Sequence, residues 1–185
     1  MGMKKEQPLE GTRYYNIFLC AYRFLEKYVN GVPDKGYSWN WISTAQEEMD
    51  FYVLQYGNDK LVSALLKACM GELKRKMEFM TSRAVEGQPV PAMELYCDSR
   101  HSKYWADFSK FWKLFCAYYP GAAKAAKDTK EADDAYWEQF MKDAGMIGNP
   151  AKGETADRFL QDIILAGIDE IERVYKSIRK PVRAA

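Results

Sequence analysis

Apolar residues recur every three or four positions along most of the chain, which is the period of an amphipathic α-helix. Strict alternation of apolar and polar residues, the pattern of a half-buried strand, is nearly absent. Helices are therefore predicted over residues 12–30, 43–56, 58–83, 102–119, 132–144 and 155–180, with a short helix or turn over 93–97. The expected fold is an all-α, single-domain bundle of about five to six helices.

Capping and breaking residues indicate where these helices begin and end. Two overlapping capping boxes within residues 43–47 predict the start of the second helix, and Gly57 predicts its end. Asn58 or Asp59 is expected to cap the third helix. The Pro-Gly pair at Pro120 is expected to end the fourth.

The last predicted helix carries a heptad-like seam. Its members are separated alternately by four and three residues: Leu160, Ile164, Gly167, Ile171, Val174 and Ile178. This spacing predicts packing against another helix, either from the same chain or from a second copy in a homodimer. Gly167, in the middle of the seam, would let another backbone approach closely.

The length of 185 residues suits one domain and is sufficient to bury a core without disulfides or metals. We expect a flexible N-terminus over residues 1–11, a helical domain over 12–180 and a tail over 181–185. The helical domain has possible lobes at 12–83 and 99–180.

The charges of the chain are balanced, with 27 Lys and Arg against 26 Asp and Glu. Such a chain has no global field to attract nucleic acid or an anionic membrane, and it is not an acidic DNA mimic. The aromatic share is 15%, and tyrosine and tryptophan suit both cores and interfaces. The sequence contains neither a stretch long enough to span a membrane nor a secretory signal, so a cytoplasmic location without membrane contact is expected.

The four cysteines, Cys20, Cys69, Cys97 and Cys116, are expected to be reduced and buried, because they are widely spaced among apolar residues. His101, the only histidine, follows Cys97 by one helical turn. Such a pair could bind zinc or form a catalytic dyad, but a structural zinc site needs four ligands and no second pair is present. We expect a histidine at a helix start, near a buried thiol.

The sequence offers little catalytic chemistry. Asp59 with Glu72-Leu73-Lys74 has the pattern of a metal-dependent nuclease, but that site normally lies on neighbouring strands and here both parts belong to one predicted helix. No phosphate-binding loop, nucleophile elbow or dinucleotide fingerprint is present. We therefore expect no catalytic residue, no cofactor and no metal, and a protein that is not an enzyme.

Basic residues on the third helix are the first candidates for partner binding. Lys74, Arg75 and Lys76 span almost a full helical turn, so they cannot all face the core. Together with Lys67 and Arg83 they form either a binding patch for phosphates or an acidic partner, or a solvated face. A second basic set, near the C-terminus, suits the negative end of the helix dipole: Arg173, Lys176, Arg179, Lys180 and Arg183.

Aromatic residues at the end of a Gly- and Pro-containing loop are the second candidates. Tyr37, Trp39 and Trp41 lie there. In an extended chain Trp39 and Trp41 would point in opposite directions, so that one of them would be available to a partner. The alternative is that both fill the core.

Three segments near the C-terminus, DAYWEQFMKDA (134–144), DRFLQDIILA (157–166) and IDEIE (168–172), resemble the helical ends of small proteins from conjugative elements and phages of gut Clostridia. The chain length, the composition and the segment YYNIF (14–18) also resemble type II-A anti-CRISPR proteins of that origin, which inhibit Cas9. These families share no general motif, so no residue role carries over.

The resemblance implies a non-enzymatic inhibitor that acts in the bacterial host cytoplasm on Cas9 or on the Cas9–guide RNA complex. The neutral charge departs from the acidic, DNA-mimicking inhibitors of this class. The alternative is a helical nucleic-acid-binding accessory protein of a mobile genetic element, which would depend on the basic residues between Lys67 and Arg83.

Overall fold

The computed structural model describes residues 9, 11–30, 39–86, 103–148 and 157–179. Helices account for 89% of this part of the chain, which contains no strand, so the all-α bundle is confirmed. The helices are α1 Arg13–Val29, α2 Trp39–Gln55, α3 Lys60–Val85, α4 Lys103–Ala125, α5 Lys130–Gly148 and α6 Arg158–Ile178. The short element predicted over 93–97, the tail and most of the predicted flexible N-terminus lie outside the described residues.

The helices form two compact units, and the division between them falls inside α1 and α4. The N-terminal unit comprises Asn16–Phe108, and the C-terminal unit comprises Met1–Tyr15 together with Ser109–Ala185. The predicted lobes assumed a break between residues 83 and 99, most of which lie outside the described residues.

The core of the N-terminal unit is formed by α1, α3 and the first turns of α4. The ring of Phe108 lies edge-on against that of Phe18, with 5.5 Å between the centroids, and Trp105 meets Tyr22 at 4.9 Å. Helix α2 packs on α3. Other fully buried side chains in this unit are Ile17, Phe24, Leu25, Leu65, Leu66, Leu73, Met77 and Met80.

The core of the C-terminal unit is built around α6. The seam residues Leu160, Ile164 and Ile171 are buried, as the four-three spacing predicts. Ile164 and Ile171 pack within the chain itself, in a cluster with Phe111 of α4 and Phe140 of α5.

Helix α2 begins at Trp39, four residues before the first residue of the predicted capping boxes. The predicted start of this helix is therefore wrong. Ser43 and Thr44 lie inside the helix, and the Thr44 hydroxyl donates to the carbonyl of Asn40 at 2.9 Å. The end of α2 and the start of α3 are as predicted. The left-handed backbone of Gly57 lets the chain close a Schellman motif, and the side chain of the following Asp59 accepts hydrogen bonds from two N–H groups at the start of α3.

Helix α4 continues through Pro120 to Ala125, so the predicted stop is wrong. Proline has no N–H to donate, and it leaves a carbonyl one turn earlier without its helical partner. Packing holds the following turn in place, since Ala122 and Ala125 are buried. The hydroxyl of Tyr136 on α5 also donates to the carbonyl of Tyr118 at 2.8 Å. These tertiary contacts offset the local cost of the proline.

Smaller differences concern α5 and α6. Helix α5 passes the predicted stop at Gly145, because Ala144 and Gly148 are buried one turn apart on the same side. Helix α6 starts later than predicted, after Asp157, whose carboxylate accepts a hydrogen bond from the backbone N–H of Leu160 at 3.1 Å.

Candidate partner-binding surfaces

The basic residues predicted to form one patch on α3 point in different directions. Lys74 is exposed, whereas Arg75 is half-buried with its Nε 2.9 Å from a carboxylate oxygen of Glu72. Lys76 is also half-buried. Successive residues on a helix are rotated by about 100°, so these three neighbours point in different directions. The side chain of Arg83 lies outside the described residues. The role of Lys74, Arg75 and Lys76 in partner binding stays a prediction.

A different set of lysines shares one exposed face of α3. Lys60, Lys67 and Lys74 are all exposed and follow each other at intervals of seven residues, which is about 10.5 Å along the axis. The small residues Ala64 and Gly71 lie between them. Lys60 was not singled out from the sequence, although the seven-residue spacing was a signal for it.

The aromatic candidates at the start of α2 are only partly described. Tyr37 and the side chain of Trp39 lie outside the described residues. Trp41 is half-buried, with its ring edge-on to that of Tyr28 at 5.8 Å. The assumption of an extended chain is wrong, because both tryptophans belong to α2. A separation of two residues is about 200° of helical rotation, so the two positions still face apart.

The exposed large apolar side chains in the described part of the N-terminal unit both lie on α2. Phe51 and Leu54 are 55% and 67% exposed and stand about one turn apart. The opposite face of α2 buries Ile42, Ala45 and Met49. This pair was not singled out from the sequence, because residues 51–54 are apolar throughout. Only the packing of the other face shows which of them point outward.

Acidic residues accompany this pair. Helix α2 contains Glu47, Glu48 and Asp50 and no lysine or arginine. Glu48 is half-buried, pairs with Lys27 and accepts a hydrogen bond from the Tyr28 hydroxyl at 2.5 Å. Burial alone would raise the pKa of Glu48, but the bonds from Lys27 and Tyr28 outweigh it and lower that pKa. Glu47 and Asp50 are exposed, so the outward charge of α2 is negative.

Four carboxylates of the described residues are buried, and each accepts a hydrogen bond from a lysine, an arginine or a tyrosine. The groups are Glu72 with Tyr104 and Arg75, Asp107 with Lys103, Asp133 with Tyr175 and Arg179, and Glu170 with Tyr14 and Arg173. A buried carboxylate needs such partners to remain charged. These groups therefore contribute to helix packing.

The basic residues near the C-terminus are largely engaged in ion pairs, where they lie within the described part of the chain. The pairs are Arg173 with Glu170, Lys176 with Glu172 and Arg179 with Asp133, at distances of 2.5, 2.7 and 2.6 Å. Lys180 and Arg183 lie outside the described residues. This set resembles a stabilised helix end more than a free basic surface.

The residues considered for metal chemistry are not brought together. Asp59 caps the start of α3 and Glu72 lies 13 positions further along it, about 20 Å away, which is too far to share a metal ion. Cys97 and His101 lie outside the described residues. In the part of the chain that the structure describes, no three His, Cys, Asp or Glu residues are grouped so that they could hold a metal, and no helix has the length and apolarity to cross a membrane.

The chain matches no protein-family model, and no curated protein or solved structure is significantly similar to it. Its function is therefore inferred from the surfaces described above together with the sequence resemblance.

Proposed function

We propose that this protein is a non-catalytic inhibitor of a Cas9-type nuclease, which acts in the cytoplasm of a bacterial host by binding the nuclease or its guide RNA complex. The observation that carries the proposal is the exposed apolar pair Phe51 and Leu54, which lies on a helix whose opposite face is buried. Single exposed apolar residues are common, but two of them about one turn apart on the same helix face favour an interaction surface.

The sequence resemblance to type II-A anti-CRISPR proteins suggests the identity of the partner. A stoichiometric inhibitor needs an anchored surface and no nucleophile. Aromatic anchors supply about 2 kcal/mol or more each at interface hot spots. Tyr37, Trp39 and Trp41, at or just before the start of the same helix, remain candidate contacts for the same partner.

The proposal is tested by a DNA cleavage assay with purified, guide-loaded Cas9 and a linear duplex target, titrated with this protein. We expect inhibition that saturates near one molar equivalent. Addition before and after guide loading distinguishes binding to the nuclease from binding to the complex. The absence of inhibition at a large molar excess, in both orders of addition and with several Cas9 orthologues, would refute the proposal.

A second candidate function is nucleic-acid binding, which the exposed lysines Lys60, Lys67 and Lys74 favour. A gel shift with plain duplex DNA over a salt series tests it. Binding that neutralises phosphates weakens steeply with salt, with a slope of about 0.9 per phosphate contact. Replacement of the three lysines by glutamine should abolish such binding, and no shift at low salt would exclude this function.

A homodimer through α6 stays a prediction. Most of the heptad-like seam is buried inside the C-terminal unit, so a dimer would have to use the outer face, where Leu165 is 56% exposed. Light scattering of the wild type and of Leu165→Glu would test this. A dimer that the substitution dissociates supports the prediction, and a monomeric wild type at high concentration contradicts it.

A further inference from the structure

The outward face of α2 combines apolar and acidic side chains in a regular arrangement. Phe51 follows Glu47 by four residues, and Leu54 follows Asp50 by four residues. Each apolar side chain therefore has a carboxylate about 6 Å earlier along the axis on the same side of the helix. All four of these side chains are exposed.

We propose that α2 is the docking helix of this protein: Phe51 and Leu54 insert into an apolar groove on the nuclease, and lysine or arginine side chains on the rim of that groove pair with Glu47 and Asp50. Insertion of exposed side chains one turn apart is the usual mode of a helix bound in a groove. The inference rests on the proposed function and adds the face that binds and the chemistry of the surface that receives it.

The distribution of charge along the chain favours a basic partner for this face. Helix α2 has three acidic residues and no basic one, whereas α3 has six basic and two acidic residues. The near-neutral net charge of the chain is therefore the sum of helices of opposite charge, an acidic α2 and a basic α3. Glu48 is already paired with Lys27. Asp50 accepts a hydrogen bond from the neutral side chain of Gln46 at 3.0 Å, but it remains exposed and charge-accessible, as does Glu47.

A Cas9-type nuclease provides a complementary surface. It holds the guide–target duplex in a positively charged channel, so lysine and arginine side chains are exposed in the free enzyme. Complementary charge accelerates association and selects the partner, while buried apolar anchors supply most of the affinity. The two kinds of side chain on α2 therefore have separable roles.

The experiment measures the affinity and the association rate of folded variants with free and with guide-loaded Cas9, alongside inhibition of cleavage. The anchor variant is Phe51→Ala with Leu54→Ala, and the charge variant is Glu47→Lys with Asp50→Lys. Because these side chains are exposed, and Ile42, Ala45 and Met49 hold the opposite face, both variants should keep the wild-type helical content. If a double variant loses helical content, the corresponding single substitutions are measured instead.

Matched controls come from α5. Met141 and Met146 are 52% and 64% exposed, and Glu131 and Glu138 are also exposed. Met141→Ala with Met146→Ala removes a similar amount of exposed apolar surface, and Glu131→Lys with Glu138→Lys makes the same change of charge. Neither control should alter binding.

We expect the anchor variant to weaken binding by roughly 30-fold or more, mainly through faster dissociation. The charge variant should slow association by about tenfold at low salt, and this difference should shrink as salt increases. A wild-type protein that inhibits while both α2 variants bind equally well would overturn the docking helix and leave the proposed function intact.

Three further outcomes are decisive. Loss of binding in the anchor variant with no change in the charge variant would overturn the basic rim. An equal loss in the α5 controls would overturn α2 as the specific docking site. A wild-type protein that neither binds nor inhibits any Cas9 would refute the proposed function, and the docking helix with it.

Discussion

Gly167 of α6 lies directly against the ring of Phe111 of α4 in the core of the C-terminal unit. A β-carbon on Gly167 would lie 2.6 Å from Cε2 of Phe111, well inside van der Waals contact. Both residues are buried, so the ring has little room to move away. A close approach at Gly167 is what the seam predicts, but the group that approaches is an aromatic ring and not another backbone.

Replacement of Gly167 by leucine should therefore overpack this contact and lower the free energy of unfolding by about 1–3 kcal/mol. Gly71→Leu is the control, because a β-carbon there meets nothing closer than Arg75 Nη1 at 3.6 Å. Replacing glycine by leucine inside a helix gains about 1 kcal/mol in helix propensity at both positions. The difference between the two variants in urea unfolding therefore reports the steric overlap with Phe111. Equal stabilities would contradict the buried contact.

Asp133 on α5 is a buried carboxylate that holds the end of α6. Its Oδ2 accepts hydrogen bonds from the Tyr175 hydroxyl and from Nη1 of Arg179, while Oδ1 is buried without a partner among the described residues. Asp133→Asn should destabilise the protein by about 1–3 kcal/mol, because the buried Tyr175 hydroxyl loses its charged acceptor. The neighbouring Asp134 is exposed, and Asp134→Asn should change stability by no more than about 0.5 kcal/mol. Indistinguishable thermal unfolding of the two variants would contradict this role.

Tyr118 should lose its proton only in strongly alkaline solution. Burial and the hydrogen bond that its hydroxyl donates to Asp143 raise the pKa of Tyr118 from 10.0 to about 12. Burial and the nearby Tyr118 raise the pKa of Tyr136 to about 12 as well. The absorbance of tyrosinate is followed during alkaline titration of the wild type and of Tyr118→Phe. The difference between the two curves should give the transition of Tyr118. Asp143→Asn should lower this pKa only in part, since the effect of burial remains.

These tyrosines should also make stability depend on alkaline pH. Between pH 10 and about 12 the unfolded chain has lost protons that folded Tyr118 and Tyr136 retain. Their contribution is therefore complete below pH 10 and decreases as the pH rises towards 12. Urea unfolding at several alkaline pH values should show a shallower decrease for Tyr118→Phe than for the wild type. Parallel decreases would contradict the assignment.

The cysteines should all be reduced, with very different reactivities. Cys20 is half-buried, Cys69 and Cys116 are buried, and none of these three cysteines is in a disulfide. Burial raises the pKa of Cys20 and raises that of Cys69 well above its usual range. A thiol-reactive chromogenic reagent should count four thiols in denaturant without reductant, and in the native protein Cys69 and Cys116 should react only as fast as the core opens. Fewer than four thiols in denaturant would require a disulfide or a modification.

The sequence by itself determined the features that depend on neighbouring residues. Helical periodicity identifies the all-α class, because the apolar spacing of a helix is a local property. Gly57 and Asp59 mark the end of α2 and the start of α3, since each acts through backbone groups a few positions away. The seam of α6 predicts its buried side for the same reason.

Local rules could not rank positions of similar character, and only the tertiary structure decided which of them are buried, exposed or continued in a helix. Helix α4 passes Pro120 because tertiary contacts stabilise the chain on both sides of it: Tyr136 bonds to Tyr118 before the proline, and Ala122 and Ala125 are buried after it. Burial of the opposite face of α2 leaves Phe51 and Leu54 in solvent, although they belong to a uniformly apolar run. Helical rotation and packing likewise separate the adjacent basic residues 74–76 and align lysines seven positions apart. The orientation of a helix is set by the side chains it buries against remote parts of the chain, and local sequence does not contain that information.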